Sequence, residues 1–270
     1  MITHEDAITR FIVANGTKLA YRRLGRKEGV PLVMMMLHFR GNIDFWDPAL
    51  IDALGESRPI ILMDNSGIEK SEGQIPTTPH GWAVHLIGLL EVLNIRQIDL
   101  LGYWVGGGAA QHVALAAPQG LVCKLATGKT VLERIYVRKQ DRTPHLPQKL
   151  AKRQTDAFKN FSISSPDNPY ERVRELKMPV VDANGDNDLL IPTVDSVKLA
   201  ELLPNARLHI YPNSGHGFLY QYAELFAKHI DLFLDGSDEE GEKPFKSRLS
   251  LEERWDSSIF LKATVFLLFF

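Results

Sequence analysis

The sequence predicts an α/β fold, doubly wound, with a mostly parallel sheet covered by helices on both faces. Two observations carry that prediction. Apolar runs of strand length at Pro31 to Leu37, Pro59 to Met63, Ile98 to Leu101, Val122 to Ala126, Val180 to Ala183 and Ala206 to Tyr211 are continuous rather than alternating, as strands buried on both sides must be. Between them, Asp47 to Ser57, Gly81 to Leu93, Val105 to Ala117, Pro192 to Leu203 and Leu219 to Leu234 place apolar residues at three-to-four spacing, the period of a helix with one buried face. Strand and helix alternate, so helical crossovers join parallel strands.

The remaining elements follow in chain order. Phe11-Ile12-Val13 and Leu19-Ala20-Tyr21 flank Asn15-Gly16, a strong signal for a tight hairpin, so the chain is expected to open with antiparallel strands. From Lys129 to Met178 the alternation lapses. That stretch is polar and charged, and prolines interrupt weak helical patterns at Lys149 to Phe161 and Tyr170 to Leu176. Its place between two core strands predicts a reduced lid over the sheet's carboxyl edge, where such sheets bind ligands; an ordinary long crossover is the alternative. The expected organisation is thus a core of residues 1–128 and 179–234, a lid insertion over 129–178 and an atypical tail over 235–270. The tail turns acidic at Asp235 to Glu240 and closes on Ile259 to Phe270, interrupted by Lys262. This run falls short of the roughly 20 apolar residues of a bilayer span. An appendage such as a mis-spliced gene model would produce is expected, with an interfacial anchor or a dimer-docking segment as alternatives.

Composition excludes several classes of partner. The chain has 270 residues, with Lys+Arg 31 against Asp+Glu 33 and a formal net charge of -2, so no field gathers nucleic acid or an anionic membrane. The natural partner is a small molecule or another protein; a small hydrophobic molecule is the expected one, and homo-oligomerisation is left open. Cys123 is the single cysteine and the opening Met1-Ile2-Thr3-His4-Glu5-Asp6 lacks a secretory layout, which together predict a cytoplasmic setting. Cys123 lies in the apolar run Leu121 to Leu125 and is expected to be buried filler. His80, His85 and His112 lack ligand spacing and are read as packing or surface residues, so neither a metal nor another cofactor is expected.

The chemistry concentrates around Leu100-Leu101-Gly102-Tyr103-Trp104-Val105-Gly106-Gly107. An apolar strand runs into a glycine-bracketed turn before a helix, the frame Gly-x-Ser-x-Gly with tryptophan at its centre. His38-Phe39-Arg40-Gly41, Asp64-Asn65-Ser66-Gly67, Gly185-Asp186-Asn187-Asp188 and Ser214-Gly215-His216-Gly217-Phe218 each follow a predicted strand. In that chain order they resemble the α/β-hydrolase superfamily, in particular its small esterase, haloperoxidase-like and aminopeptidase-like members, over roughly Phe11 to Leu234. The resemblance implies the α/β-hydrolase fold with a shortened lid. It also implies a triad order of nucleophile, acid and histidine, which falls on Trp104, Asp188 and His216. Asp188 is preferred to Asp186 because the family's acid stands three residues after the glycine and shortly before a proline, here Gly185 and Pro192. The resemblance further places oxyanion donors at the backbone N–H groups of Phe39 and Val105, with His38 and Tyr103 as substrate-binding neighbours.

The departures bear on function. Tryptophan has one N–H donor and no nucleophilic atom, and losing a triad nucleophile costs on the order of 10⁶ in kcat, leaving about 10³ to 10⁴ over water. Glu69 stands where relatives usually carry glycine. Ser66 and Ser71 are nearby, but loop serines most often build turns. What remains is an Asp188-His216 dyad able to move a proton, backbone donors able to stabilise an enolate or alkoxide, and an indole suited to stacking on a flat apolar ligand. Three readings stay open: a non-covalent enzyme of small-molecule or natural-product metabolism working through His216, an inactive ligand-binding or regulatory protein, and a hydrolase of esterase or lactonase ancestry whose activity is lost in this copy.

Overall fold

The Asn-Gly hairpin forms the edge of the sheet. The computed structural model describes residues 1–35, 40–128, 147–162 and 172–236. Strand β1 (Arg10–Ala14) runs antiparallel to β2 (Thr17–Gly25), and the two residues between them, Asn15 and Gly16, have φ of 49° and 73°. A two-residue turn matching the strands' right-handed twist needs left-handed backbone at both positions, which is why Asn-Gly stands there. Six more strands follow: β3 (Leu32–Met35), β4 (Pro59–Met63), β5 (Ile98–Tyr103), β6 (Val122–Gly128), β7 (Val180–Gly185) and β8 (Ala206–Tyr211). They join one sheet in the order β1-β2-β4-β3-β5-β6-β7-β8. Strand β2 meets β4 antiparallel, and every pairing from β4 to β8 is parallel.

The continuous apolar runs work as two interleaved sets. In β3, Val33 and Met35 join the core on one face while Leu32 and Met34 join the core on the other. The first face is covered by α2 (Pro79–Val92), α3 (Val105–Ala116), α4 (Gln148–Ser162) and α5 (Thr193–Leu202), the second by α1 (Pro48–Gly55), α6 (Phe218–Gln221) and α7 (Ala223–Asp235). Local chemistry starts the helices where the sequence indicates. The Asp47 side chain accepts from Ala49 N and the Thr78 side chain from Gly81 N, and each helix carries proline in its first turn.

Some expectations shift. The single helix expected over Leu219 to Leu234 is two, broken at Tyr222, whose φ of -117° and ψ of 34° are not helical. The break lets Phe218, Tyr222 and Phe226 close around the Tyr211 ring at 4.9, 5.4 and 6.2 Å, a tertiary preference that periodicity does not register. The weak pattern at Lys149 to Phe161 is the helix α4, whereas within Tyr170 to Leu176 the described residues hold only a 3-10 turn, Val173–Glu175. Cys123 is partly exposed rather than core filler. It sits at the start of β6 beside Lys124, whose Nζ donates to Phe233 O and Leu234 O at the end of α7. Residues 129–146 and 163–171 of the expected lid, and 237–270 of the tail, lie outside the described residues. Among the described residues no helix is long and apolar enough to cross a membrane.

One buried polar cluster lies beside the carboxyl end of β4. Arg22 and Asp44, both fully buried, pair at 2.6 Å. Asp64 Oδ1 accepts from Ile43 N at 2.8 Å. Burial lifts the Asp64 carboxyl from its ordinary 3.8 to about 8, partly opposed by the Ile43 hydrogen bond. The folded protein therefore keeps a proton that the unfolded chain has already released. That contribution to stability is complete below about pH 4 and disappears as the pH climbs through about 8. Asp64→Asn keeps the acceptor for Ile43 and removes the titration. Thermal melts between pH 5 and 8 should accordingly show a shallower decline in Tm for the variant than for the parent, and parallel profiles would exclude Asp64 as the cause.

Candidate functional site

Strand β5 turns into α3 within two residues. Tyr103 closes the strand, Trp104 adopts φ 51° and ψ -117°, and Val105 opens the helix. Backbone of this kind in a non-glycine residue costs roughly 1 to 3 kcal/mol, so the surrounding packing must impose it. Gly102 shows how. A Cβ there would lie 2.4 Å from Gly106 O and 2.5 Å from the Ala110 Cβ. Strand and helix approach so closely that only glycine fits, and the chain must reverse sharply at Trp104. Val105, at the first helical position, contributes one of the N–H groups that a helix cannot satisfy internally.

His216 reaches the same edge from the other side of the sheet. The loop after β7 is fastened to the loop after β8. Asn213 N and Ser214 N donate to the two Asp186 oxygens at 2.9 and 3.1 Å, and Asn187 N donates to Ser214 O at 2.9 Å. Asp188 accepts from Leu190 N and Ile191 N through Oδ1 at 2.8 and 2.9 Å. His216 Nδ1 donates to Asp188 Oδ1 and Oδ2 at 3.1 and 3.0 Å. A carboxylate there requires the proton on Nδ1, leaving the lone pair of the neutral ring on Nε2. The two aspartates thus divide the labour: exposed Asp186 ties loops together and buried Asp188 orients the imidazole. The indole of Trp104, itself buried, stands edge-on to the His216 ring with centroids 6.4 Å apart.

The other residues singled out in the sequence fall as follows. Tyr103 is fully buried and packs its ring 6.3 Å from that of Trp46. Burial raises its phenol, and the neighbouring Tyr220 and Asp188 add to the effect. His38 and Phe39 lie outside the described residues, so the donor expected at Phe39 is not described. Ser66 donates to Glu72 O and Gln74 O, and Ser71 donates to Asp64 O; both serines build the loop. Glu69 has φ 47°, a left-handed conformation in which glycine is the unstrained residue. His80 is exposed, and His85 and His112 are partly buried. Among the described residues no group of three His, Cys, Asp or Glu side chains is arranged to hold a metal ion.

One polar residue near this edge escaped the sequence reading. Gln154, on α4, accepts from Arg40 N through Oε1 at 2.8 Å and is buried. Its only sequence signature is a polar side chain in register with buried Ala151 and Ala157 on one helical face.

A mostly parallel eight-stranded sheet, a strand-turn-helix elbow after β5, and an acid and a histidine on the loops after β7 and β8 define the α/β-hydrolase fold. The chain adopts this fold and is similar to members of the α/β-hydrolase superfamily. A model of the dienelactone hydrolase family matches residues 147–243. Among curated proteins, a 2-hydroxymuconate semialdehyde hydrolase of Pseudomonas putida is 26% identical, covering 86% of this chain and 95% of its own. A non-heme chloroperoxidase of Streptomyces lividans is 24% identical over 78% of this chain and 94% of its own. Among solved structures, an α/β-hydrolase fold protein from Chitinophaga pinensis superposes with a TM-score of 0.79 at 28% identity, covering 86% of this chain and 99% of that one.

The loop clasp rests on Gly185, where a Cβ would lie 2.3 Å from Ser214 O and 2.5 Å from Gly215 O. Backbone atoms cannot yield as a side-chain tip can. Gly185→Ala is expected to destabilise the protein by about 1 to 3 kcal/mol and to lengthen the Asp188 to His216 contact, measurable by denaturant unfolding and by the His216 ring signals in NMR spectra.

Proposed function

We propose that this chain binds a small hydrophobic molecule beside Trp104 and His216, that Trp104 occupies the place of the nucleophile, and that the chemistry left is proton transfer by His216 oriented by Asp188. The observation that carries this reading is the pairing of His216 Nδ1 with both Asp188 oxygens while an indole stands edge-on at 6.4 Å. A base in hydrogen-bond register with its orienting carboxylate is one half of nucleophilic catalysis. The other half has no acceptor or nucleophile in Trp104, so an acyl-enzyme cannot form there. Helix α4 is read as the described part of the lid, since its Gln154 is bound to the loop that follows β3.

The relatives' names suggest the kind of molecule. 2-Hydroxymuconate semialdehyde and 2-hydroxy-6-oxo-6-phenylhexa-2,4-dienoate, named in two of them, are flat, conjugated and enolic. Moving an enol proton needs a base and a place for negative charge on oxygen, and no covalent attachment. A conjugated enol or ketone of that size also matches the flat apolar face of an indole. The reading in which the site binds such a molecule without converting it rests on the same residues, and His216→Ala separates the two: proton exchange into a bound enol should fall while its binding persists, whereas exchange unchanged by the variant would leave a binding protein.

Restoring the nucleophile tests the central point. The parent should hydrolyse p-nitrophenyl acetate and butyrate near the uncatalysed rate. Trp104→Ser should raise the rate by 10² or more, on the order expected when a triad member is supplied to a standing base, and His216→Ala in that background should erase the gain. A Trp104→Ser protein that folds as the parent does and shows no gain would mean that the surroundings of position 104 no longer support acyl transfer.

A further inference from the structure

Most buried polar atoms in a folded protein find a partner, and each exception calls for a reason. Gln154 holds such an exception. It is 1% exposed, and among the described residues its Nε2 has no hydrogen-bond partner. The orientation of the amide is fixed by chemistry: Arg40 N donates to Oε1 at 2.8 Å, and turning the amide over would set one N–H against another. The unpartnered group is therefore a donor, and what would satisfy it is an acceptor oxygen.

The position of this donor follows from the sheet. Strand β3 lies beside β5, with Met35 opposite Gly102. Arg40 comes five residues after Met35 and Trp104 two residues after Gly102, so both emerge from adjacent strands at the same carboxyl edge. Helix α4 is held over this edge at two successive residues, by the Arg40 bond of Gln154 and by a bond from Arg153 Nε to Ile75 O. Arg40 itself has φ 65°, a conformation a non-glycine residue keeps only under restraint. Two further buried atoms at this edge also lack partners, Asn65 Nδ2 after β4 and the Tyr103 hydroxyl at the end of β5. Strands β4, β3 and β5 are neighbours in the sheet, so these three atoms lie along one stretch of its edge.

We propose that Gln154 Nε2 recognises the ligand, donating a hydrogen bond to a carbonyl or carboxylate oxygen of the molecule bound beside Trp104, and so restricts the site to ligands that carry such an acceptor. This rests on the ligand site proposed above. Oε1 remains engaged by Arg40, which sets the donor's direction before any ligand arrives; Gln154 is then a specificity-determining residue contributed by α4.

Calorimetric titration with acetophenone and ethylbenzene tests this, since the two probes share a flat ring and differ chiefly in whether an acceptor oxygen is present. The parent should bind the ketone more tightly. Gln154→Glu keeps an acceptor for Arg40 N and replaces the donor with a repelling oxygen, so ketone binding should weaken about tenfold or more while ethylbenzene binding changes little. Gln154→Met, of similar volume, should likewise lose the preference for the ketone, and thermal melts show that both variants fold. Unchanged ketone affinity in both variants would overturn the donor while leaving the ligand site standing. Equal weakening toward both probes would also overturn it, because a purely structural role for Gln154 predicts that result. A parent that binds neither probe would remove the ligand site itself, and the donor with it.

Discussion

A parallel sheet has to be covered on both faces, and that constraint organises the whole molecule. Val33 and Met35 point into one core, Leu32 and Met34 into the other, so no face of the sheet is left for a ligand. Crossovers between the parallel strands β3 to β8 then bring their carboxyl ends to the same edge, where loops from distant parts of the sequence can meet. Trp104, Asp188 and His216 come together for this reason. Glycines at the points of closest approach make the meeting tight: Gly102 lets α3 press against β5, and Gly185 lets the β7 loop press against the β8 loop.

The elbow is a property of backbone packing, and its independence from the central side chain explains how a tryptophan can stand there. The left-handed turn at residue 104 is enforced by Gly102, Gly106 and Ala110, none of which depends on a hydroxyl. A chain can thus keep the fold, the oriented histidine and the helix N-terminus while the reacting atom differs. Under the proposed reading the site retains its acid-base half and has an apolar wall where covalent chemistry would begin. The buried Asp188, with two backbone donors on one oxygen and an imidazole across both, is held by contacts that do not involve the side chain at position 104.

Legibility in the sequence followed the range of the forces involved. The Asn15-Gly16 hairpin was readable because two adjacent residues set the turn. The caps at Asp47 and Thr78, which the apolar spacing did not single out, act over the same short range, each accepting from an N–H two or three residues on. Asp188 was preferred over Asp186 through the family resemblance, and the geometry gives the two residues different partners. The break at Tyr222 could not be read, because it answers to the Tyr211 ring across the fold. Cys123 sits in an apolar run yet lies partly exposed, since position along β6, at its amino end, outweighs the character of its neighbours. Glu69 looked like a departure from family habit, and its φ of 47° shows the physical basis of that habit.

Sequence alone determined the class of fold, the order of the strands and helices and the identities of the residues around the elbow, because periodicity, capping and glycine placement act over a few residues at a time. Tertiary structure decided the rest: the distance between Trp104 and His216, the partner of His216 Nδ1, the lifted carboxyl of Asp64 and the unpartnered Nε2 of Gln154. Each of these depends on what burial removes from water and on which distant backbone group stands opposite, and neither is written in the neighbourhood of the residue itself.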